Sequence, residues 1–432
     1  MHPDDVWQRL LADAQGLESP RESGREAAEL RELAVAGPLD GLRVLDLGTR
    51  IAAPFCAGLL GEQGAEVIKI EQPGTGDFMR EIGPFVPDHD GADYSLFWAV
   101  EGRGRKSVTL DLRRDEGQDL FRRLAATADV VVENFRPGTL EHWNIGPGDL
   151  DARLVVVRIS SFGQDGPYAR RPGLDRVGIG YGGLLHLTGY PDRPPVRVGV
   201  TISDYLTGVF CAHAASAALY ARDARNGSGA VIDASLYGAA LRILEWTLPA
   251  YDKLGVVRNR EGNRLANSAP LDNYPTADGK YVCIVAGSDA NFARLCKAMD
   301  RLDLLEEPRF ARLADRAEHG DEINSTVAEW TAGLPAAQIE ERCVACDVPV
   351  ATAYTAADIF ADPHITQRGD LVTVDDESVG PLRQQAPFPR RVGEVVTAPS
   401  SAPRLGAHTR EVLGELGLDD ADLDRLSSEG VV

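Results

Sequence analysis

From Gly37 onward, short apolar runs alternate with amphipathic stretches. The runs LRVLDL, EVIKIE, KSVTLDL, DVVVENF and RLVVVRIS are rich in Val, Ile and Leu, which predicts five buried strands. Segments such as PFCAGLLGEQ and DEGQDLFRRLAATA lie between several of them and carry helical spacing. Strands that alternate with helices imply an α/β class with a parallel sheet covered on both faces. Residues 204–222 (DYLTGVFCAHAASAALYAR) predict a long Ala-rich helix, and VIDASLYGAALRILEWTLPAY a further strand and helix.

Around residues 250–275 the periodicity lapses into polar sequence containing Gly and Asn, a linker or active-site loop. A smaller unit then opens with the hairpin YPTADGKYVCIVA, whose Asp278-Gly279 suits a tight turn, and continues through helices from Asn291 to Cys346. The Pro-rich stretch from Pro381 to Pro403 is expected to carry the chain back across the molecule, and LGAHTREVLGELG forms a helix near the C-terminus. The expected division is an N-terminal extension (1–37, with Val6, Leu10 and Leu11 at helical spacing), a large α/β domain (38–250), a loop (251–275), a small α+β domain (276–375) and a return segment that rejoins the large domain (376–432).

Length supports that division, because 432 residues exceed what one core usually organises. Charge narrows the partners. A formal net charge of -21 leaves no basic surplus to offset phosphate repulsion, so neither nucleic acid nor an anionic membrane is an expected partner, although a local basic pocket is allowed. The start MHPDDVWQRLLADAQ lacks a basic n-region and an apolar h-region, which leads to the expectation of a cytoplasmic protein. Six cysteines stand in apolar surroundings. Cys343 and Cys346 form a lone C-x-x-C without the second pair that a structural zinc site needs, so no metal site is expected.

The strand, turn and helix of VLDLGTRIAAPFCAGLLG stand where doubly wound proteins bind nucleotide-like ligands. The turn lacks G-x-G-x-x-G, having Gly48 and then Ala52, Ala53 and Pro54, which argues against a cradled dinucleotide. Neither a phosphate-binding G-x-x-x-x-G-K-[ST] loop nor a G-x-S-x-G elbow occurs.

PLDGLRVLDLGTRIAAPFCAGLLGEQGAEVIKIEQPGTGD, RKSVTLDL, VVENFRPGTLE, SSFGQDGPYARRPGLD and VGVTISDYLTGVFCAHAASAAL resemble, in that order, motifs of the class III CoA-transferases, the carnitine-CoA transferase and bile-acid-inducible group. The resemblance spans about residues 38 to 432. It implies a large Rossmann-like, CoA-binding domain built from both chain ends, a smaller domain, and a ring-shaped protomer interlocked with a second copy. It also implies acyl-CoA and small carboxylic acids as substrates, with no permanently bound cofactor. The family's nucleophilic aspartate falls on Asp204 in VTISDYLTG.

A carboxylate can attack an acyl-CoA thioester to give a mixed anhydride, and the released thiolate can return to make an aspartyl-CoA thioester. On residue type alone, Ser203 or Asp204 would be read as a helix cap. The roles are compatible, since a helix N-terminus favours negative charge. By motif position the family's CoA contacts fall on Arg50, Ile51 and Ala52, on Gln72, on Leu110, and on Asn134 and Phe135. Arg105 and Lys106 are phosphate candidates on charge alone, the alternative being a solvated basic edge.

Gln72 and His142 stand where relatives often carry arginine, which shifts phosphate recognition toward Arg50 or Arg136. Asp175, in RPGLD, is expected either to support Asp204 or to cap a helix at the surface. Gly262 and Asn263 lie in a candidate lid, with an inert linker as the alternative. His186, His213 and His364 sit in apolar or helical contexts that suit structural roles.

Two other functions belong beside CoA transfer. An α-methylacyl-CoA racemase has the same fold but needs a histidine in G-H-D, and this chain has Gly173-Leu174-Asp175. A silent acyl-CoA-binding protein would have no need of Asp204.

Overall fold

The structure, a computed structural model, describes residues 37–265, 267–393 and 397–432. The expected helical arm at residues 1–36 lies outside the described residues.

Six parallel strands form the central sheet: β1 (Arg43–Asp46), β2 (Glu66–Glu71), β3 (Lys106–Thr109), β4 (Val130–Glu133), β5 (Val155–Ser160) and β6 (Ala230–Ser235). Their order is β3-β2-β1-β4-β5-β6, the doubly wound arrangement. The sixth strand comes from VIDAS, downstream of the long helix.

Side-chain alternation explains why these strands need cover on both faces. Val44, Val67, Val130 and Val155 point into one apolar cluster, while their successors Leu45, Ile68, Val131 and Val156 point into another. The first cluster is closed by α1 (Ala52–Glu62) and by a long helix, Ile202–Ala224, through Cys56, Leu60, Cys211, Ala215 and Leu219. On the opposite face, Phe121 and Leu124 of Asp115–Ala125 pack with Val412, Leu413, Leu423 and Leu426 of the C-terminal helices. The chain's end thus belongs to the large domain's core.

For reference, α2 is Leu96–Glu101, α3 is Asp115–Ala125, α4 is Asp175–Tyr181 and α5 is Ile202–Ala224. Helices α1 and α5 approach closely because Gly208 has no side chain. A Cβ there would lie 2.9 Å from Phe55 Cδ1 and 3.0 Å from the Ala52 carbonyl oxygen. That contact sets the entrance of α1 beside the start of α5.

The smaller unit holds a three-stranded antiparallel sheet in which β8 (Tyr281–Val285) lies between β7 (Leu271–Pro275) and β9 (Val350–Thr352). Gly279 takes the left-handed conformation (φ 76°) in the β7–β8 turn. Its core includes Phe292, Leu295, Ile323, Val327 and Ile339, and its cysteines are free thiols. Two expected boundaries need correction. The small sheet starts at Leu271 rather than after 275, and the 375/376 boundary cuts a hairpin, β10 (Leu371–Asp376) with β11 (Gly380–Gln385). Alternation on a paired strand overrides the signal of Pro381, the second residue of β11 in a two-stranded ribbon.

Candidate active site

The turn between β1 and α1 rests on a buried ionic cluster. The Lys69 side chain is fully buried, lies 2.9 Å from the Asp77 carboxylate and 3.4 Å from that of Asp46, and donates to the Gly48 carbonyl. Arg105 reaches Asp46 at 3.3 Å and the Pro54 carbonyl at 2.5 Å. Two cations thus balance two carboxylates, and unpaired charge is avoided where burial would make it costly.

The same acceptors consume the turn's amides. Asp46 takes the Gly48 N–H at 2.9 Å, the Asn134 side-chain oxygen takes that of Thr49 at 2.9 Å, and Asp77 takes that of Arg50 at 3.2 Å. The turn itself therefore offers a pyrophosphate few free amides, in keeping with its missing glycine fingerprint. Asn134 also donates to the Thr49 carbonyl at 2.8 Å, so its amide clamps the turn.

A cavity of about 130 Å³ opens above this turn, at the carboxyl ends of β1, β2 and β4. It brings together Gln72, Leu110 and Phe135, three of the expected contacts, and adds Thr49, Arg113 and Trp143. Phe135 meets Trp143 edge to face at 5.2 Å, and its backbone N–H donates to Glu133 at 2.7 Å. The cavity wall is thus apolar and aromatic, suited to a flat base, with polar groups at its edge. Neither Trp143 nor Arg113 carries a motif signal. Only the fold brings them beside β3 and β4.

Arg105 and Lys106 do not act as free phosphate partners. Arg105 is buried and committed to Asp46, and the Lys106 ammonium lies 2.7 Å from both Glu66 and Glu411. The basic edge visible in sequence is neutralised by carboxylates distant along the chain. Ile51 and Ala52 are buried, with Ile51 in a cluster that contains Met79, Trp98 and Ala402, so their side chains shape the turn from beneath.

Asp204 is the third residue of α5, after Thr201 at the cap position. It does not cap the helix: among the described residues nothing donates a hydrogen bond to its half-buried carboxylate. Asp175 does that work. Fully buried at the start of α4, it accepts from the Ser203 N–H at 2.8 Å and the Ser203 hydroxyl at 3.0 Å, which corrects the surface-cap expectation. Tyr205 pins the other side, donating to Glu101 at 2.8 Å and meeting Phe55 edge to face at 4.8 Å.

Burial pushes the Asp204 carboxyl up to about 7, the Asp175 charge pushes in the same direction, and Arg50 opposes both. Asp204 is therefore a fixed carboxylate, short of stabilising donors, within reach of one cation's field. Such a group is a stronger nucleophile than a solvated carboxylate.

Gly262 and Asn263 are packed on another segment. Gly262 (φ 67°) donates to the Gly189 carbonyl at 2.9 Å, and Asn263 donates to the Tyr190 hydroxyl at 3.0 Å. Arg260 adds a bond to the His186 carbonyl at 3.0 Å, and His186 contacts Asn259 at 3.2 Å. Among the described residues, neither Gly262 nor Asn263 makes a hydrogen bond to Asp204. Leu174, beside Asp175, is 57% exposed and supplies no proton-transfer group. A larger cavity of about 630 Å³ lies between α1 and the return segment, reaching Tyr205, Arg103 and Phe388, but holds none of the expected CoA contacts apart from the committed Arg105.

Residues 39–409 match the profile of CoA-transferase family III. A succinyl-CoA–D-citramalate CoA-transferase from Chloroflexus aurantiacus is 42% identical over 399 residues, covering 91% of this chain and 98% of the relative. The beta subunit of a succinyl-CoA–L-malate CoA-transferase from the same organism is 39% identical (91% and 98% covered). A succinyl-CoA:mesaconate CoA-transferase from Haloarcula marismortui is 35% identical (89% and 97%). Among solved structures, a CAIB/BAIF family protein from Brucella suis matches with a TM-score of 0.78 and 33% identity, covering 88% of this chain and 100% of that one.

Proposed function

The chain belongs to CoA-transferase family III, and from that premise we propose that it moves coenzyme A from succinyl-CoA to a small dicarboxylic acid with Asp204 as the covalent nucleophile. The observation that carries this reading is the unbonded Asp204 carboxylate, held at the start of α5 by Asp175 and Tyr205 on either side. The relatives named for succinyl-CoA and a second dicarboxylic acid support the substrate class.

In the proposed cycle, an Asp204 carboxylate oxygen attacks the thioester carbonyl and expels CoA thiolate, leaving a mixed anhydride. The thiolate attacks the aspartyl carbonyl, releasing the donor acid and forming an aspartyl-CoA thioester. A carboxylate of the acceptor attacks that thioester, and thiolate is freed again. Thiolate attack on the acceptor-derived carbonyl gives the new acyl-CoA and restores Asp204. Charge returns to its starting balance at each step, so the residues need only bind, orient and exclude water.

Gln72, Leu110, Phe135 and Trp143 would seat the adenine end of CoA, with the exposed Arg136 beside the phosphates. A homodimer fits the apolar surface at Trp246, Tyr251, Leu254 and Val257, which are 50%, 62%, 75% and 60% exposed. Light scattering at micromolar concentration would give the mass of two chains.

Mixing the protein with succinyl-CoA and hydroxylamine tests the chemistry. Peptide mass spectrometry should place a hydroxamate on Asp204. An unmodified Asp204 in protein that turns over substrate would sink the covalent mechanism.

A further inference from the structure

Arg50 differs from the four cations that are committed to carboxylates around the β1–α1 turn. Lys69 is matched by Asp46 and Asp77, Arg80 by Glu71, Arg105 by Asp46, and Arg113 by Asp111. Among the described residues, no carboxylate lies within ion-pairing reach of the Arg50 guanidinium. Instead the guanidinium stacks over the Phe78 ring, 4.0 Å from its centroid. Stacking covers the planar face and leaves the N–H edges free, the geometry that takes a carboxylate through two parallel bonds. Phe78 is 38% exposed, so this platform is open to solvent.

The backbone at this residue is unusual as well. Arg50 has φ 68°, a left-handed conformation that costs a branched or long side chain roughly 1–2 kcal/mol. Asp77 and Asn134 hold residues 49 and 50 in place, so the strain is imposed by the buried cluster. Strain retained at one charged residue of a site is a mark of positioning.

A dicarboxylic acid brings two negative charges toward Asp204 and Asp175, which repel it. One carboxylate must stay close to the chemistry, and the other needs a cation. Resting on the proposed transfer function, we infer that Arg50 is the specificity residue for the acid substrate, its guanidinium binding the carboxylate that takes no part in bond making. Arg50 precedes Ile51, which packs in one cluster with Tyr205, and Ala52 meets Gly208 one turn along α5 from Asp204, so the residue stands beside that carboxylate. It follows that Arg50 is not one of the CoA phosphate contacts, a role left to Arg136.

The test compares wild-type protein with the Arg50→Met variant, which removes the charge and keeps most of the length. Ligand-observed NMR titrations with succinate and with propionate report acid binding, and calorimetry with free CoA reports the nucleotide site and the integrity of the fold. Succinate binding should weaken on the order of 10- to 100-fold, as expected for loss of a charged hydrogen-bonded pair. Propionate, which lacks the second carboxylate, should bind the wild type more weakly than succinate, and CoA should change by less than about 3-fold in the variant, since it does not engage the lost charge. Unchanged succinate binding, wild-type protein that fails to prefer succinate over propionate, or a CoA loss as large as the succinate loss would each overturn the assignment. None of these readings needs turnover. Wild-type protein that forms no Asp204 hydroxamate while the variant loses succinate binding would refute the transfer mechanism and keep Arg50 as an acid-binding residue.

Discussion

Replacing Asp204 by asparagine should stabilise the protein at pH 8 while abolishing transfer. In the folded chain burial, followed by the Asp175 charge, raises the carboxyl from 3.8 to about 7. Below pH 4 both folded and unfolded states carry the proton, and the group contributes nothing to pH-dependent stability. Between about 4 and 7 the unfolded chain sheds its proton and the folded chain keeps it, so wild-type stability falls as pH rises. Above about 7 the loss is complete. Some three pH units at about 1.36 kcal/mol each set a ceiling of about 4 kcal/mol. Water reaching the half-buried carboxylate screens the effect, leaving about 1–3 kcal/mol.

The assay is thermal melting of wild type and the Asp204→Asn variant at pH 5, 6, 7 and 8. The variant should melt higher at pH 8, with a gap that narrows steadily toward pH 5. The transfer rate of the wild type should rise about tenfold per pH unit up to pH ~7 and then level off, because only the carboxylate attacks. A variant that melts at or below wild type at pH 8, or a gap independent of pH, would refute the electrostatic account of Asp204.

Gly208→Val should push α1 away from α5, since even its Cβ would meet Phe55 and the Ala52 carbonyl at 2.9 and 3.0 Å. A loss of about 1–3 kcal/mol in denaturant unfolding is expected, with transfer activity falling further than stability because Arg50 and Asp204 move apart. Trp143→Ala should raise the KM for the CoA donor roughly 10-fold by removing the wall that Phe135 packs on, with the KM for the acid unchanged. Equal rises in both would take Trp143 out of the CoA cavity.

The sheet was legible in the sequence because both faces of its inner strands are buried, so Val44, Leu45, Val67 and Ile68 form continuous runs that only a covered parallel sheet explains. Ordered motifs singled out Asp204 and also Gln72, Leu110 and Phe135, and the fold gathers the last three at one cavity. Other assignments depended on partners far away in the chain. Lys106 looks like a free cation until Glu411 reaches it, and Asp175 looks like a surface cap until Ser203 meets it from the start of α5. Trp143 becomes part of the cavity only when β3 and β4 flank β2 and β1. Pairings across tens to hundreds of residues leave no local periodicity, so propensity and spacing cannot register them.

The β1–α1 turn explains how a doubly wound fold can serve CoA chemistry without the usual dinucleotide fingerprint. A glycine-rich turn offers bare amides to a pyrophosphate. Here Asp46, Asn134 and Asp77 accept those amides, and Lys69 with Arg105 neutralises the two carboxylates from below. The turn thereby becomes rigid instead of phosphate-binding, and it holds residue 50 in a conformation that a free chain would avoid. Rigidity at that point matters for acid recognition, because a bidentate guanidinium loses its advantage over a lysine ammonium if the backbone beneath it can swing. The ionic cluster, the strained arginine and the unbonded carboxylate therefore form one mechanical unit, in which buried charges beneath the turn fix the charge above it.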